Sequence, residues 1–437
     1  MRRAWMAAVL AAVLAAGLVA AACTGGGGGG ETPSSAKGPV IVVFWQPYSS
    51  GTEKSGLIAL VNEFNKAHEG KISVQPLFYG NADYALQKVE TAIAGGVYPD
   101  VAYLYGSWAA NIAGSEKVLA LNDFIQKDPS WNWEDFWQAE RYAATVNDKI
   151  VGVPALVDNL AIVYNKGLFD QAGLEYPSPD WTWDDFEAAA KALTDPANKV
   201  FGWTIPADGT EDTVWHYEAM LWEAGGDILN ADNTQAVFNS PQGVEAMTVL
   251  QDLGNGGAHA IYVDTQNTGQ AQQLFNSGKI GMMITGPWDL ANFINVDYGV
   301  QIMPSFPGGD HETISGPDNW VLFNNGPERS QATFDFISWL TAPEQDMTYA
   351  LASGHLPLRA SELKLPEFEQ YLQKYAGIQT FVENEQNALK ARPVTPKYPQ
   401  VSEALGQAIV AVLLGEADAQ TALDQAAQKA NAALAAP

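Results

Sequence analysis

The turn Gly286-Pro287-Trp288 holds an indole on rigid backbone, where the ring cannot retreat into a strand. An indole offers a flat apolar platform. The chain carries 14 Trp, 16 Tyr and 17 Phe, many of them beside Asp, Asn, Gly or Pro rather than inside periodic apolar segments, a placement that suits the lining of a cleft. Carboxylates are the other abundant group, and two of them facing each other across a cleft could cleave a glycosidic bond. The adjacent pair Asp184 and Asp185 in Trp181-Thr-Trp183-Asp-Asp-Phe186 reads instead as the first turn of a helix capped by Thr182, and Trp131-Asn-Trp133-Glu-Asp-Phe136 reads as a second helix start. Asn230-Ala-Asp232-Asn-Thr234 has some alternating oxygen ligands of a calcium loop, but Gln235 and Pro241 stand where such a loop needs Gly and Glu, so it is read as a turn. Five scattered histidines and one cysteine argue against a transition-metal site. The sequence has no Gly-x-Ser-x-Gly elbow, His-Glu-x-x-His helix or Walker loop. None of these motifs assigns a catalytic, metal or cofactor site.

The elements that must position these groups alternate. Apolar, β-branched runs at Val40 to Trp45, Ile72 to Phe78 and Val101 to Tyr105 read as strands, with helices expected at about Ser55 to His68 and Ala82 to Gly95. This is the pattern of βα units feeding a largely parallel sheet. From Lys149 to Asn165 two extended pieces, joined through Pro154 and Asp158, follow one another without a helix, as in a crossover between lobes or in a hairpin. Gln400 to Ala436 is Ala-rich, amphipathic and helical in pattern. With 50 acidic against 23 basic residues the net charge is -27, which repels nucleic acid and anionic membrane surfaces.

Cys23 follows an apolar run, Ala4 to Ala22, which is itself preceded by Arg2 and Arg3. That is an export-signal pattern, predicting a signal peptide at residues 1–22 and a mature chain that begins at a cysteine carrying lipid. Ala20, Ala21 and Ala22 resemble a bacterial lipobox, although Leu is preferred at the first of the three positions. Thr24, six glycines and a Pro-, Ser- and Thr-containing stretch to Gly38 form a linker whose flexible-chain reach is roughly 20 Å. No Lys and Ser or Thr follow the glycines at the spacing a phosphate loop needs.

Four segments, in order, carry a family resemblance: Trp222-Glu-Ala-Gly-Gly-Asp227, Gly278-Lys-Ile-Gly-Met-Met-Ile-Thr-Gly-Pro-Trp-Asp-Leu290, Tyr298-Gly-Val-Gln-Ile-Met-Pro304 and Leu340-Thr-Ala-Pro-Glu-Gln345, with a Tyr398-Pro-Gln-Val-Ser402 tail. The chain resembles the extracellular solute-binding proteins of ATP-binding cassette (ABC) transporters, in the branch that includes maltose-binding protein. The resemblance implies an α/β, two-lobed, type II periplasmic-binding fold, each lobe a mainly parallel sheet flanked by helices. The implied lobes are 39–155 plus 304–340 and 156–303 plus 341–437, with crossings near Pro154 to Asp158, Met303 to Pro304 and Leu340 to Thr341. It also implies an interlobe cleft for sugar, whose apolar faces stack on aromatics and whose hydroxyls bond to polar side chains.

On this resemblance Trp288 is the stacking platform and Asp158 accepts hydroxyl hydrogen bonds, with Trp215 as a second ring. Gln46, Tyr48 and Ser49 follow the first strand, and Ser107 and Trp108 the third, where a topological switch point exposes ligand-facing groups. Asn319, Trp320 and Arg359 complete the set. Ser107 stands where maltose-binding protein has a carboxylate and Leu405 where it has an aromatic, which points to another saccharide. The implied partners are a carbohydrate ligand, ABC permease subunits and a membrane reached through the lipid on Cys23. The protein is expected to be a monomer on the extracytoplasmic face. A secreted glycosidase and a binding protein for a non-sugar ligand such as a polyamine are the alternatives.

Overall fold

The computed structural model describes residues 38–266 and 269–436; the leader, Cys23 and the linker lie outside the described residues, except Gly38. Val40–Gln46 (β1) is a β-branched run with Val42 and Phe44 fully buried. It leads into Gly51–Ala67 (α1), whose Leu57, Leu60, Val61 and Phe64 form one apolar stripe at helical spacing. Ile72–Phe78 (β2), Ala85–Gly95 (α2) and Val101–Tyr105 (β3) complete two βα units, as expected from the sequence. Gly152–Leu156 (β4) then joins the same sheet, and after four residues Ala161–Asn165 (β5) enters a second one. The segment 149–165 is therefore a lobe crossing.

The second lobe is built from Trp183–Leu193 (α3), Phe201–Thr204 (β6), Glu211–Glu223 (α4), Ile261–Tyr262 (β7), Ile280–Thr285 (β8) and Tyr298–Gln301 (β9). Thr182 caps α3 in a reciprocal capping box with Asp185, so that carboxylate serves the helix start. The chain returns through Thr313–Ser315 (β10) to Asp318–Leu322 (β11) in the first sheet, followed by Pro327–Leu340 (α5) and Pro343–Ser353 (α6). Ala388–Ala391 (β12), Tyr398–Leu413 (α7) and Ala419–Ala435 (α8) end the fold.

The strand orders are β2-β1-β3-β11-β4 and β9-β5-β8-β6-β7. Both sheets are mixed: β1 runs parallel to β2 and β3, but β11 is antiparallel to β3 and β4 because it re-enters from the other lobe. In the second sheet β8 is parallel to β6 and antiparallel to β5. The crossings are knitted together. Thr313 Oγ1 donates to the Leu160 carbonyl at 2.9 Å, Asn384 Nδ2 donates to Asn159 Oδ1 at 3.0 Å, and β10 pairs with β12.

Three sequence expectations differ from the structure. The span 341–437 is divided rather than belonging whole to the second lobe: α6 packs on α1, with Ala352 against Gly56, whereas α7 packs with α4, and α8 packs with α7 and with the helix Pro241–Leu253. The return to the second lobe therefore lies at about 384–398 and not at Leu340. Trp131–Phe136 forms two short 3-10 turns instead of a helix start, with Asn132 in the left-handed region between them. The 400–436 stretch is two helices, broken where Gly415 adopts φ 75°. No helix among the described residues is long and apolar enough to cross a membrane.

Candidate ligand-binding cleft

A cleft of about 460 Å³ lies between the two sheets. The first lobe supplies Tyr48 and Ser49 just after β1, Phe78 at the end of β2, and Tyr103 and Tyr105 from β3. These strand ends flank β1, where the chain order switches direction across the sheet, the usual place for a ligand in an α/β fold. The second lobe supplies Asp212 and Trp215 from the first turns of α4, and Trp288 from the turn after β8. The indoles of Trp215 and Trp288 lie 5.8 Å apart between centroids and are tilted by 38°. Two glycines make this wall possible. The Trp288 ring folds back over Gly286, where a Cβ would stand 1.9 Å from Cζ3, and the Trp215 ring lies against Gly316, where a Cβ would stand 2.7 Å from Cζ2.

The polar rim is acidic. Glu53, Asp83, Asp158, Asp212 and Asp318 line the cleft against two cations, His355 and Arg392. Both cations are already engaged. Arg392 reaches Asp318 Oδ1 at 3.3 Å and Glu211 Oε1 at 3.4 Å, and its guanidinium lies 4.9 Å from the Tyr105 ring. Burial opposes its charge, but the Glu211 and Asp318 carboxylates more than restore it. His355 Nδ1 meets Asp158 Oδ2 at 2.5 Å and Nε2 meets Glu53 Oε1 at 3.0 Å. Burial pulls the imidazole down, yet the Asp158 and Glu53 carboxylates raise it to about 10, so it is an imidazolium at neutral pH. Burial lifts Asp318 to about 6, against the pull of Arg392. Asp83 rises to about 7 through burial and the nearby charges of Asp212 and Asp208 across the cleft, while Tyr105 Oη donates to its Oδ1 at 3.1 Å.

Of the residues expected at the site, the structure brings Tyr48, Ser49, Asp158, Trp215 and Trp288 to the cleft. Six others do not line it. Gln46 is buried and its Oε1 accepts the Tyr48 N–H at 2.7 Å, so it shapes the loop from below. Ser107 and Trp108 are turned inward, Trp108 backing the Tyr105 ring at 4.7 Å. Asn319 points to the opposite face of β11 and donates to the Ala143 carbonyl at 3.1 Å. Trp320, two residues deeper in the same strand than Asp318, packs edge-on to Phe44 at 4.9 Å. Arg359 lies 3.7 Å from the Phe136 ring and donates to the carbonyls of Trp131 and Thr341, tying loops together in the core. Sequence reasoning missed Glu53, Asp83, Tyr103, Tyr105, Asp212, Asp318, His355 and Arg392. Only the two tyrosines carried a local signal, their place at the end of the third strand.

Residues 59–376 match the family model described as bacterial extracellular solute-binding protein. The chain belongs to that family. Members are solute-binding components of ABC importers, a family of transport proteins and not of enzymes. Among curated relatives, a binding protein of Brucella abortus strain 2308 is 27% identical over 358 residues, covering 80% of this chain and 84% of the relative. The sn-glycerol-3-phosphate-binding periplasmic protein UgpB of Rhizobium meliloti is 24% identical over 409 residues, with 90% and 93% covered. Among solved structures, the cyclic α-maltosyl-1,6-maltose binding protein of Arthrobacter globiformis is 30% identical, with 91% of this chain and 99% of that chain covered and a TM-score of 0.74. The fold of this solute-binding protein is the two-lobed one of its sugar-binding structural neighbours.

Proposed function

We propose that this solute-binding protein captures a neutral carbohydrate, an oligosaccharide, in the interlobe cleft and delivers it to an ABC import permease without chemical change. The observation that carries this reading is the tilted indole pair Trp215 and Trp288, set beside a rim of carboxylates that accept hydrogen bonds from hydroxyls. A glycerol phosphate, the ligand in the name of the Rhizobium relative, would need a free cation. Among the lining residues both cations are committed to carboxylates. The excess of acid would repel a phosphate. Cys23 carries diacylglycerol in this reading, and residues 24–38 tether the body to the outer face of the membrane.

Two experiments test it. Tryptophan fluorescence of the protein is followed with maltotriose, cyclic α-maltosyl-1,6-maltose, ribitol, sn-glycerol-3-phosphate and spermidine. Saturation by a saccharide with no response to glycerol phosphate is expected; saturation by glycerol phosphate or spermidine alone would overturn the carbohydrate claim. Labelled palmitate should enter the protein in cells and be lost in Cys23→Ser, and retention of label would refute the anchor.

A further inference from the structure

Beside the cleft, and sharing Asp212 and Trp288 with it, the second lobe holds a smaller chamber of about 70 Å³. At about 10–15 Å³ for each water position, that is room for on the order of five waters, enough for a short substituent and too little for a whole sugar ring. Its polar lining combines the Gln272 amide and Trp288 indole N–H donors with acceptors and with hydroxyls that are already spent. The hydroxyl of Thr285 is spent on Asp289 Oδ2 at 2.7 Å, and that of Thr204 on the Tyr262 carbonyl at 2.9 Å. His216 is 1% exposed and its Nδ1 meets the Asp212 carbonyl at 2.8 Å and the Asp212 Oδ1 at 3.3 Å, so in the neutral ring Nδ1 carries the proton and Nε2 is the lone-pair acceptor. Among the described residues that Nε2 has no partner, and neither has Gln272 Oε1 in the same lining. A buried unpartnered acceptor costs about 1–3 kcal/mol, which a donor from a ligand would relieve.

We propose that this chamber is a second pocket that receives a hydrogen-bond-donating arm of the bound solute, a hydroxymethyl or ammonium group, passing Trp288 to reach His216 Nε2, Gln272 and Asp289. It rests on the carbohydrate reading only for the identity of the solute that carries the arm. In that case the chamber sets specificity: a solute whose arm lacks a donor leaves the same acceptors unpaired and is rejected.

The test separates the two claims. Protein labelled with ¹⁵N at its five histidines, with His216 assigned through His216→Gln, is titrated with glycerol and ethanolamine as minimal donors. In parallel, calorimetry compares the wild type with Gln272→Met and His216→Phe against the saccharides named above. Both donors, or ethanolamine alone, should shift the His216 Nε2 resonance; ethanolamine alone would identify the arm as an ammonium. Any saccharide bound by the wild type should bind about tenfold more weakly to Gln272→Met, a partly exposed position whose substitution leaves the core intact. A His216 shift with the small donors while no saccharide binds would support the chamber and refute the sugar. Saccharide binding with unchanged affinity in both variants, or no His216 shift with either donor, would overturn the chamber.

Discussion

The two walls of the cleft differ in how far they are finished. On the first-lobe wall the phenols of Tyr103 and Tyr105 already donate to Asp318 and Asp83, and Asp318 is further held by Arg392. On the second-lobe side, among the described residues, the Trp215 indole N–H in the cleft and the His216 Nε2 in the adjoining chamber have no partner. The first wall is thus largely paired within the protein, Tyr48 Oη and Arg392 Nε being its exceptions among the described residues, whereas the second keeps polar capacity for something that binds. Such a division lets one lobe set the geometry and the other discriminate between solutes.

The comparison breaks most sharply at Arg392. Arg392→Leu leaves Glu211 and Asp318 buried without their cation, and the expected loss of stability is about 3–5 kcal/mol by denaturant unfolding. An unchanged midpoint would show that the first wall does not depend on this bridge. Next in size is Trp288→Ala. Covering about 100 Å² of ring at about 25 cal/mol per Å² gives about 2.5 kcal/mol, near a hundredfold in affinity, with the fold retained because the ring is half-buried.

A third prediction concerns pH. In the folded state Asp83 is raised to about 7 and Asp318 to about 6, both chiefly by burial, so between the unfolded carboxylate range and these values the folded protein holds protons that the unfolded chain has lost. Stability then falls as pH rises through that window. His355, raised to about 10, has the same sign: its contribution is complete below its unfolded value of about 6.5 and is lost as pH climbs towards 10. The melting temperature should therefore be higher at pH 5.5 than at pH 8, and Asp83→Asn should flatten the difference. A melting temperature that rises with pH would contradict this. Smallest is Trp215→Phe, which keeps a ring and deletes the unpartnered N–H; saccharide affinity should fall by about 1 kcal/mol, and no change in calorimetry would mean that the N–H serves no ligand.

Much of the fold was legible because its signals are local. The first three strands lie where their β-branched runs place them, and Thr182 caps the helix whose first turn carries Asp184 and Asp185, as their spacing indicates. Trp288 was readable because Gly286 and Pro287 punctuate the chain beside it. The rest of the cleft was hidden by depth and by distance. Asp318 reaches the cleft but Trp320, on the same face of the strand, is one pleat too deep, and no sequence pattern tells the two apart. His355 and Arg392 arrive from segments 197 residues beyond Asp158 and 74 beyond Asp318, so their partners exist only in the folded chain. Arg359 looked like a cleft cation two residues after Pro357, yet its donors are drawn inward by loop carbonyls.

The most direct test of the account is the structure of the protein bound to whichever saccharide saturates its fluorescence. The account predicts a sugar ring lying face-on to Trp288 or Trp215 within about 4 Å, its hydroxyls turned to the carboxylate rim. A saccharide held against Tyr48, Tyr103 and Tyr105 with both indoles untouched would contradict it.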